Sequence, residues 1–463
     1  MDADPTSTDA SVCPGCEQRD RRVAELEARI KQLEQRLEEL SRSAKRQAAP
    51  FSRGLPKLDP KRPGRKSGED YGTQAFRRVP PVIDEVHDAP LPARCPRCGG
   101  RVIASHVDHQ YQVEIPRRPI YRQFNVAVGR CACCEGRVQG RHRLQTSNAL
   151  GCCASQIASE AQAAVVMLNK ELGLSQGKIS RFFQMFFGIQ LTRGGSCQIM
   201  LRAAERCEGN HQAIVKRVQS SPWIVPDETG WRIGGWLAWL HVAVSQDAVA
   251  YLIARPRGVE ASALLIGEDY AGKLIHDGWA SYDRFWRALH QTCLGHLLRR
   301  CHELLEHATR GAVVFPRRVK ALLQESLEVR DRRDQRQISL RQAVAQADAL
   351  QERMTQLVSP VKTHAANERF CRHLLRHTSQ LFTFLRHRGI DATNYQAEQA
   401  LRPAVVNRKV WGGNRTPAGA VAQSILMTVL FTATRQRRNA MEFVSEVLRS
   451  LPGRRPMLLG GSG

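Results

Sequence analysis

Trp223-Ile224-Val225-Pro226-Asp227-Glu228-Thr229-Gly230-Trp231 is the stretch on which the fold turns. A run of aromatic and β-branched residues that stops on a carboxylate reads as a buried strand delivering an acid at its end. Trp236 to Val244, Ala248 to Ile253 and Lys273-Leu274-Ile275-His276 repeat the texture, with turn signals at Gly234-Gly235 and Ser245-Gln246-Asp247. The last run again ends on an acid, Asp277, just before Gly278. A long charged helical stretch is expected over roughly 284–388 and another helix from Thr393. Three strands, a helix, a further strand and then helices predict an α/β layer protein with a mixed sheet.

Upstream, helical periodicity runs from Gln156 to about Glu205, broken at Gly173-Leu174-Ser175 and from Gly188 to Gly195. Leu172-Gly173-Leu174-Ser175 followed by Lys178-Ile179-Ser180-Arg181-Phe182-Phe183 has the shape of a helix-turn-helix, although many helical hairpins share it. Before it, Cys95-Pro96-Arg97-Cys98 and Cys131-Ala132-Cys133-Cys134 flank a segment with strand-like runs at Tyr111 to Ile115 and Phe124 to Val128. Two Cys-x-x-Cys knuckles supply the four thiolates of a tetrahedral structural zinc, so Cys95, Cys98, Cys131 and Cys134 are the expected ligands of a zinc ribbon. Cys133 is the alternative to Cys134.

Residues 41–78 carry 11 Lys or Arg against 3 Asp or Glu, with Pro and Gly scattered through them. Such a segment buries no core and behaves as a flexible basic arm, in which Lys61, Arg62, Arg65 and Lys66 are placed for phosphate contact or solvation. Val23, Leu26, Ile30, Leu33, Leu37 and Leu40 repeat at alternating three- and four-residue steps, the seam of a parallel two-stranded coiled coil. Cys13-Pro14-Gly15-Cys16 just before it is half a metal site, and dimerisation of the zipper would bring two halves together.

The 463 residues hold 69 Lys and Arg, 57 of them Arg, against 44 Asp and Glu, a net charge of +25. That balance excludes an ordinary acidic metabolic enzyme and points to a polyanion. With 42% hydrophobic residues the chain is folded rather than disordered. The acidic N-terminus and short apolar runs such as Ala248 to Ala254 predict a soluble, unsecreted protein with no membrane partner. Its cysteines are then reduced, which favours metal ligation over disulfides.

Asp227, Asp277 and Glu398 form the expected catalytic set. Glu398 falls in Thr393-Asn394-Tyr395-Gln396-Ala397-Glu398, a helix start with Thr393 as cap and Gln396 at the capping-box position. Two acids at the ends of neighbouring strands and one on a helix can converge on a pair of Mg²⁺ ions acting at a phosphodiester. Asn394, Glu398 and Arg402 share a helix face, so Arg402 leans either on a scissile phosphate or on Glu398. Arg408 and Lys409 are candidates for backbone phosphates. Cys293 and His296 are read as structural, with His296 next in line to approach DNA.

These residues resemble a family. Asp227-Glu228-Thr229-Gly230-Trp231 looks like the first-aspartate motif of the bacterial insertion-sequence transposases of the IS-sixty-six type. His276-Asp277-Gly278-Trp279-Ala280-Ser281-Tyr282 resembles their second-aspartate motif. Cys293-Leu294-Gly295-His296-Leu297-Leu298-Arg299-Arg300 is similar to their Cys-x-x-His-x-x-Arg-Arg segment, and Asn394 to Pro403 with Arg408-Lys409 to their glutamate helix. The run from Val410 to Thr416 departs from the commoner aromatic-rich pattern, which marks a variant branch.

The resemblance implies a D-D-E transposase with a ribonuclease H-like catalytic domain. It would bind terminal inverted repeats and target DNA as a homodimer or higher oligomer, in the cytoplasm at the nucleoid. One metal would activate water to nick each end, and the freed 3′-hydroxyl would attack target DNA. The expected organisation is a coiled coil over 17–41, a basic arm over 42–79 and a zinc-ribbon DNA-binding domain over 80–145. A helical DNA-binding or linker region over 146–220 leads to a catalytic domain over 221–430, with a helical insertion at about 300–388, and a basic tail over 431–463. Arg299 and Arg300 join the DNA-contacting candidates. The competing readings are a catalytically silent zinc-dependent DNA-binding regulator descended from a transposase, and a structure-specific nuclease of the same fold.

Overall fold

The computed structural model describes residues 18, 21–30, 32–33, 79–113, 115, 118–146, 157–307, 310–451 and 453–459. They fall into two compact units, Met1–Ile115 and Pro116–Gly463. Cys13, Cys16, Leu37, Leu40 and the arm residues Lys61, Arg62, Arg65 and Lys66 lie outside the described residues.

In the first unit residues 21–30 are helical, and Val23, Leu26 and Ile30 stand about half exposed along one stripe. The Tyr111 to Ile115 run, expected as a strand, has none at its described positions. Tyr111, Val113 and Ile115 are all exposed, so their alternation has no surface to pack against.

The second unit opens with a short hairpin, β1 (Val128–Arg130) and β2 (Arg137–Gln139). It brackets the second cysteine pair and begins only where the expected Phe124 to Val128 strand was to end. Helices α1 (Ser159–Lys170), α2 (Gln176–Phe187) and α3 (Arg193–Gln219) follow. The turn between α1 and α2 places Gly173 at φ +71°, and a Cβ there would collide with Asn407 Oδ1. Ser175 caps α2 by accepting the Lys178 N–H, which completes the helix-turn-helix shape.

The central sheet comprises β3 (Trp223–Ile233), β4 (Trp236–Val244), β5 (Val249–Ala254), β6 (Lys273–His276) and β7 (Leu289–Thr292), in the order β5-β4-β3-β6-β7. The β3–β4 and β4–β5 pairs are antiparallel, whereas β3–β6 and β6–β7 are parallel. The β3–β4 turn has Gly234 and Gly235 both at positive φ, the two-residue geometry that matches strand twist. After β5, α4 (Val259–Ile266) crosses over to β6.

A helical run succeeds β7: α5 (Leu294–His307), α6 (Val314–Asp334), α7 (Leu340–Val358), α8 (Ala365–His377) and α9 (Thr383–Arg386). Then come α10 (Tyr395–Trp411), α11 (Pro417–Arg435) and α12 (Ala440–Arg449). The helical stretch expected over 284–388 therefore contains β7. Its residues Leu289-His290-Gln291-Thr292 carry little apolar signal, yet Gln291 and Thr292 are fully buried.

The sheet is covered on both faces. Val225, Leu240, Val242, Tyr251 and Ile275 pack with α10 and the helices after β7. Ile224, Ala243, Ala250 and Leu274 point the other way, into α1, α3, α11 and α12. The period-two alternation of each strand thus feeds two separate cores. Helix α11 is long and apolar enough to cross a membrane by composition, but it is mostly buried as the helix that covers β5.

Candidate active site

Asp227 does not end its strand. β3 pairs in parallel with β6 only through Trp223 and Ile224, then continues to Ile233 against β4 alone, because Thr229 to Ile233 find register partners there. Asp227 therefore lies where β3 has outrun β6. Asp277 is the first residue past β6. Glu398 lies in the first turn of α10, which packs against β3.

The other two acids bear on Asp227. Asp227 is pushed up to about 8, first by burial and then by the charges of Asp277, Glu228 and Glu398, although the Glu228 N–H donates to its Oδ1 at 2.8 Å. Among the described residues no group of three or more His, Cys, Asp or Glu side chains stands close enough to hold one metal ion.

Around this centre the backbone is braced. Asp277 Oδ1 accepts the Trp279 N–H at 2.8 Å, closing the turn through Gly278, whose φ is +88°. The hydrogen bonds assign the tautomers of two histidines beneath that turn. Gly278 N–H donates to His276 Nδ1, so His276 carries its proton on Nε2 and donates to His290 Nδ1 at 2.9 Å. His290 Nε2–H then donates to the Phe285 carbonyl at 3.0 Å. Burial holds both imidazoles below the ordinary histidine range, which suits this neutral relay.

Glu228, unremarked in the sequence, is the hub of a second network. Its buried carboxylate accepts from Tyr282 Oη at 2.8 Å and pairs with Arg257 at 2.9 Å. The Arg257 guanidinium lies between the rings of Trp239 and Trp279, 4.5 and 3.9 Å from their centroids. One buried acid thus ties β3 to the segment after β5 and to the turn after Asp277. Nothing local in the sequence signals a contact spanning 29 and 54 residues.

The Cys-x-x-His segment has a structural job. Cys293 is buried and its N–H donates to the His276 carbonyl at 2.7 Å; burial raises its thiol pKa, against the lowering influence of the backbone N–H groups of Asn394, His296 and Gly295. It joins the end of β6 to the starts of α5 and α10. His296 Nε2 stands 3.5 Å from Glu398 Oε1, so it is set against the third acid.

The cap of α10 is Asn394, one residue later than expected, and it makes no capping hydrogen bond; Thr393 is held instead by Asp391. Asn394 is buried, with neither side-chain polar atom partnered among the described residues, whereas Arg402 two turns on is exposed. Arg408 and Lys409 lie inside α10 rather than beyond it. Arg408 reaches β3, donating to the Gly230 carbonyl and, at 3.3 Å, to Thr229 Oγ1; Lys409 is exposed. Arg299 and Arg300 are exposed, and Arg300 pairs with Glu303 at 3.3 Å.

Two turns carry the paired cysteines. In the first unit Cys95 N–H donates to the Gly100 carbonyl and Gly99 N–H to that of Cys95. In the second, Cys131 with Gly136 and Glu135 with Cys131 repeat the pattern, and Glu135 adopts the positive φ of Gly99. This register makes Cys134, not Cys133, the counterpart of Cys98. In each turn backbone N–H groups aimed at the first sulfur lower its pKa, from Arg97 and Cys98 to Cys95, and from Cys134 and Cys133 to Cys131.

Comparison with curated proteins returns no significant match. A family model described as the transposase IS66 family matches residues 155–422, which run from just before α1 through the sheet and the three acids into α11. That match covers more than half of the chain, and the chain belongs to the IS66 family of transposases.

Proposed function

We propose that this insertion-sequence transposase cuts and joins DNA at a centre formed by Asp227, Asp277 and Glu398. The observation that carries this reading is placement: Asp227 lies where β3 outruns β6, Asp277 is the first residue past β6, and Glu398 is in the first turn of α10, so that burial and the charges of Asp277, Glu228 and Glu398 push the Asp227 carboxyl up to about 8. Such an arrangement is unfavourable without a cation and suits one. The sheet order, three antiparallel strands continued beyond β3 by two strands parallel to it, supports a ribonuclease H-like description of the domain.

The donor set fits Mg²⁺. Asp227, Asp277 and Glu398 would hold two ions, each taking one or two protein oxygens and completing its shell with water and phosphate, so no triple cluster is required. When bound, such ions activate an attacking oxygen and stabilise a leaving one. The chain's own side chains do the rest. His296 orients Glu398, the His276–His290 relay and Glu228 fix the turn of Asp277, and Arg408 holds β3 in place. Arg299, Arg300, Arg402 and Lys409, exposed on α5 and α10, contact the DNA backbone.

The Cys-x-x-Cys spacing of the two turns supports Cys95, Cys98, Cys131 and Cys134 as zinc ligands. The half-exposed stripe of residues 21–30 supports a zipper, hence a dimer, and the α1–α2 hairpin supports DNA contact through α2. The basic arm serves the same partner, in the cytoplasm.

A transposition assay in cells tests the reading. A marker flanked by this element's own terminal repeats should move when the parent protein is supplied and not when Asp227→Asn, Asp277→Asn or Glu398→Gln replaces it. Movement with any of these at the parent's frequency would overturn the assignment of that residue.

A further inference from the structure

Away from the carboxylate centre, a cleft of about 660 Å³ opens between residues 141–144, the end of α12 and the tail that follows. Arg141, Arg143, Arg449 and Arg454 line it, and Glu446 is the single acid among its lining residues. Two arginines anchor its walls. Arg141 donates to the carbonyls of Arg449 and Gln145 at 3.0 and 3.1 Å. Arg206, just behind, donates to the Leu448 carbonyl and to those of Ser450 and Thr146. Those from residues 448–450 are carbonyls left over at the end of a helix, so these guanidinium groups have a structural reason to be there and are held rigid.

Among the described residues Arg143, Arg449 and Arg454 make no side-chain hydrogen bond or ion pair of this kind. Arg143 and Arg454 are exposed at the mouth, and Arg449 lies on the last turn of α12. Repulsion is already felt: burial first, then the charges of Arg455, Arg141 and Arg202, depress the Arg206 guanidinium below its ordinary value. The same pattern recurs on the adjoining hairpin. Arg130 and Arg137 are direct register partners across β1 and β2, both exposed. Like charges directly opposite on a strand pair repel, and an anion placed between them would relieve that repulsion.

We propose that Arg130 and Arg137, the segment at Arg143 and the cleft at Arg449 and Arg454 form one track for the phosphate backbone of duplex DNA, separate from the carboxylate centre. It rests on the reading of the protein as DNA-acting. The centre would hold the strand being cut, while this track grips duplex beside the second cysteine turn. Guanidinium groups suit this because they bind phosphate oxygens bidentately.

The test uses the full-length protein and a random-sequence duplex, with affinity followed by fluorescence anisotropy over a salt series. Arg143→Gln/Arg449→Gln/Arg454→Gln should weaken binding at moderate salt by about tenfold to a hundredfold. It should also flatten the log–log salt slope by about two to three, since each phosphate contact contributes about 0.9. Glu446→Gln should tighten binding, and inorganic phosphate at matched ionic strength should not displace the duplex. If the triple variant does not fold, Glu446→Gln and Arg130→Gln/Arg137→Gln, which should flatten the slope by about two, decide the matter. Parent-like slopes in folded variants overturn the track, as does displacement by inorganic phosphate, which would make it a small-anion site. A parent that binds no duplex at all would instead overturn the DNA reading beneath it.

Discussion

Asp227 and Glu228 are neighbours on β3, and successive strand residues leave on opposite faces. One goes to the acidic centre, the other to Tyr282 and Arg257. Burial raises Glu228 despite both partners, yet its contacts are those of an ionised acid, because Arg257 is held against it by two indole rings. Glu228→Gln keeps the shape and removes the charge, stranding a stacked guanidinium. Because Arg257 is about a third exposed, the expected loss is about 1–3 kcal/mol, below the cost of breaking a fully buried pair. Urea denaturation measures it; a difference under about 0.5 kcal/mol would reduce the network to an ordinary surface pair.

Among elements, α11 explains how an edge strand is kept from pairing with another chain. Ser424, Thr428 and Thr432 recur every four residues along it and accept the N–H groups of Ile253, Tyr251 and Val249 on β5 at 2.9 to 3.0 Å. The helix thus covers the edge and satisfies its donors at once. Thr428→Val, similar in shape, should cost about 1–3 kcal/mol by leaving the Tyr251 N–H buried and unpaired, and should raise its hydrogen exchange; parent-like stability and exchange would argue against the ladder. Helix α1 is tied in by Lys170, fully buried, donating to Gln423 Oε1 and facing the Trp411 ring. Burial pulls Lys170 down to about 7 from 10.5. Its native form prefers to be neutral, so its contribution is intact above the unfolded value and is lost progressively as pH falls to about 7. Lys170→Met should therefore raise the melting temperature most at and below neutral pH and least near pH 10.5; a pH-independent difference would contradict that placement. The elements also show what hydropathy can carry. β3, β4, β5 and β6 were legible because β-branched and aromatic residues crowd them. β7 was not, since Gln291 is buried through its amide, which donates to the Leu381 carbonyl and accepts the Phe384 N–H. The acids were legible from their places after apolar runs, but Arg257 and His276 act through contacts distant in the chain or through tautomers, which leave no local pattern. The Val410 to Thr416 run looked only like a departure. In the fold it is a clasp, with Asn414 accepting from Trp231 Nε1 and its backbone bonded to Arg232 and Gly234.

At the scale of the whole molecule, the net charge of +25 is not a uniform coat. In the second unit arginines gather along a hairpin and cleft, and again on α5 and α10 beside a concentrated patch of acid. The helices after β7 are bound to that patch as well: Arg376 on α8 pairs with Asp283, and His373 crowds Gly278, where a Cβ would lie 3.1 Å from its ring. Gly278→Ala should therefore disturb the turn of Asp277 and slow cutting at least tenfold while leaving duplex binding unchanged, as gel shift and cleavage assays would report; full activity would mean that the turn tolerates the change. The most direct measurement is single-turnover cleavage of a duplex carrying the element's own end, with Mg²⁺, by the parent and by Asp277→Asn. The carboxylate account predicts that the variant folds and binds with the parent's affinity while cutting falls by about a thousandfold or more. Cutting by the variant at a rate near the parent's would contradict it.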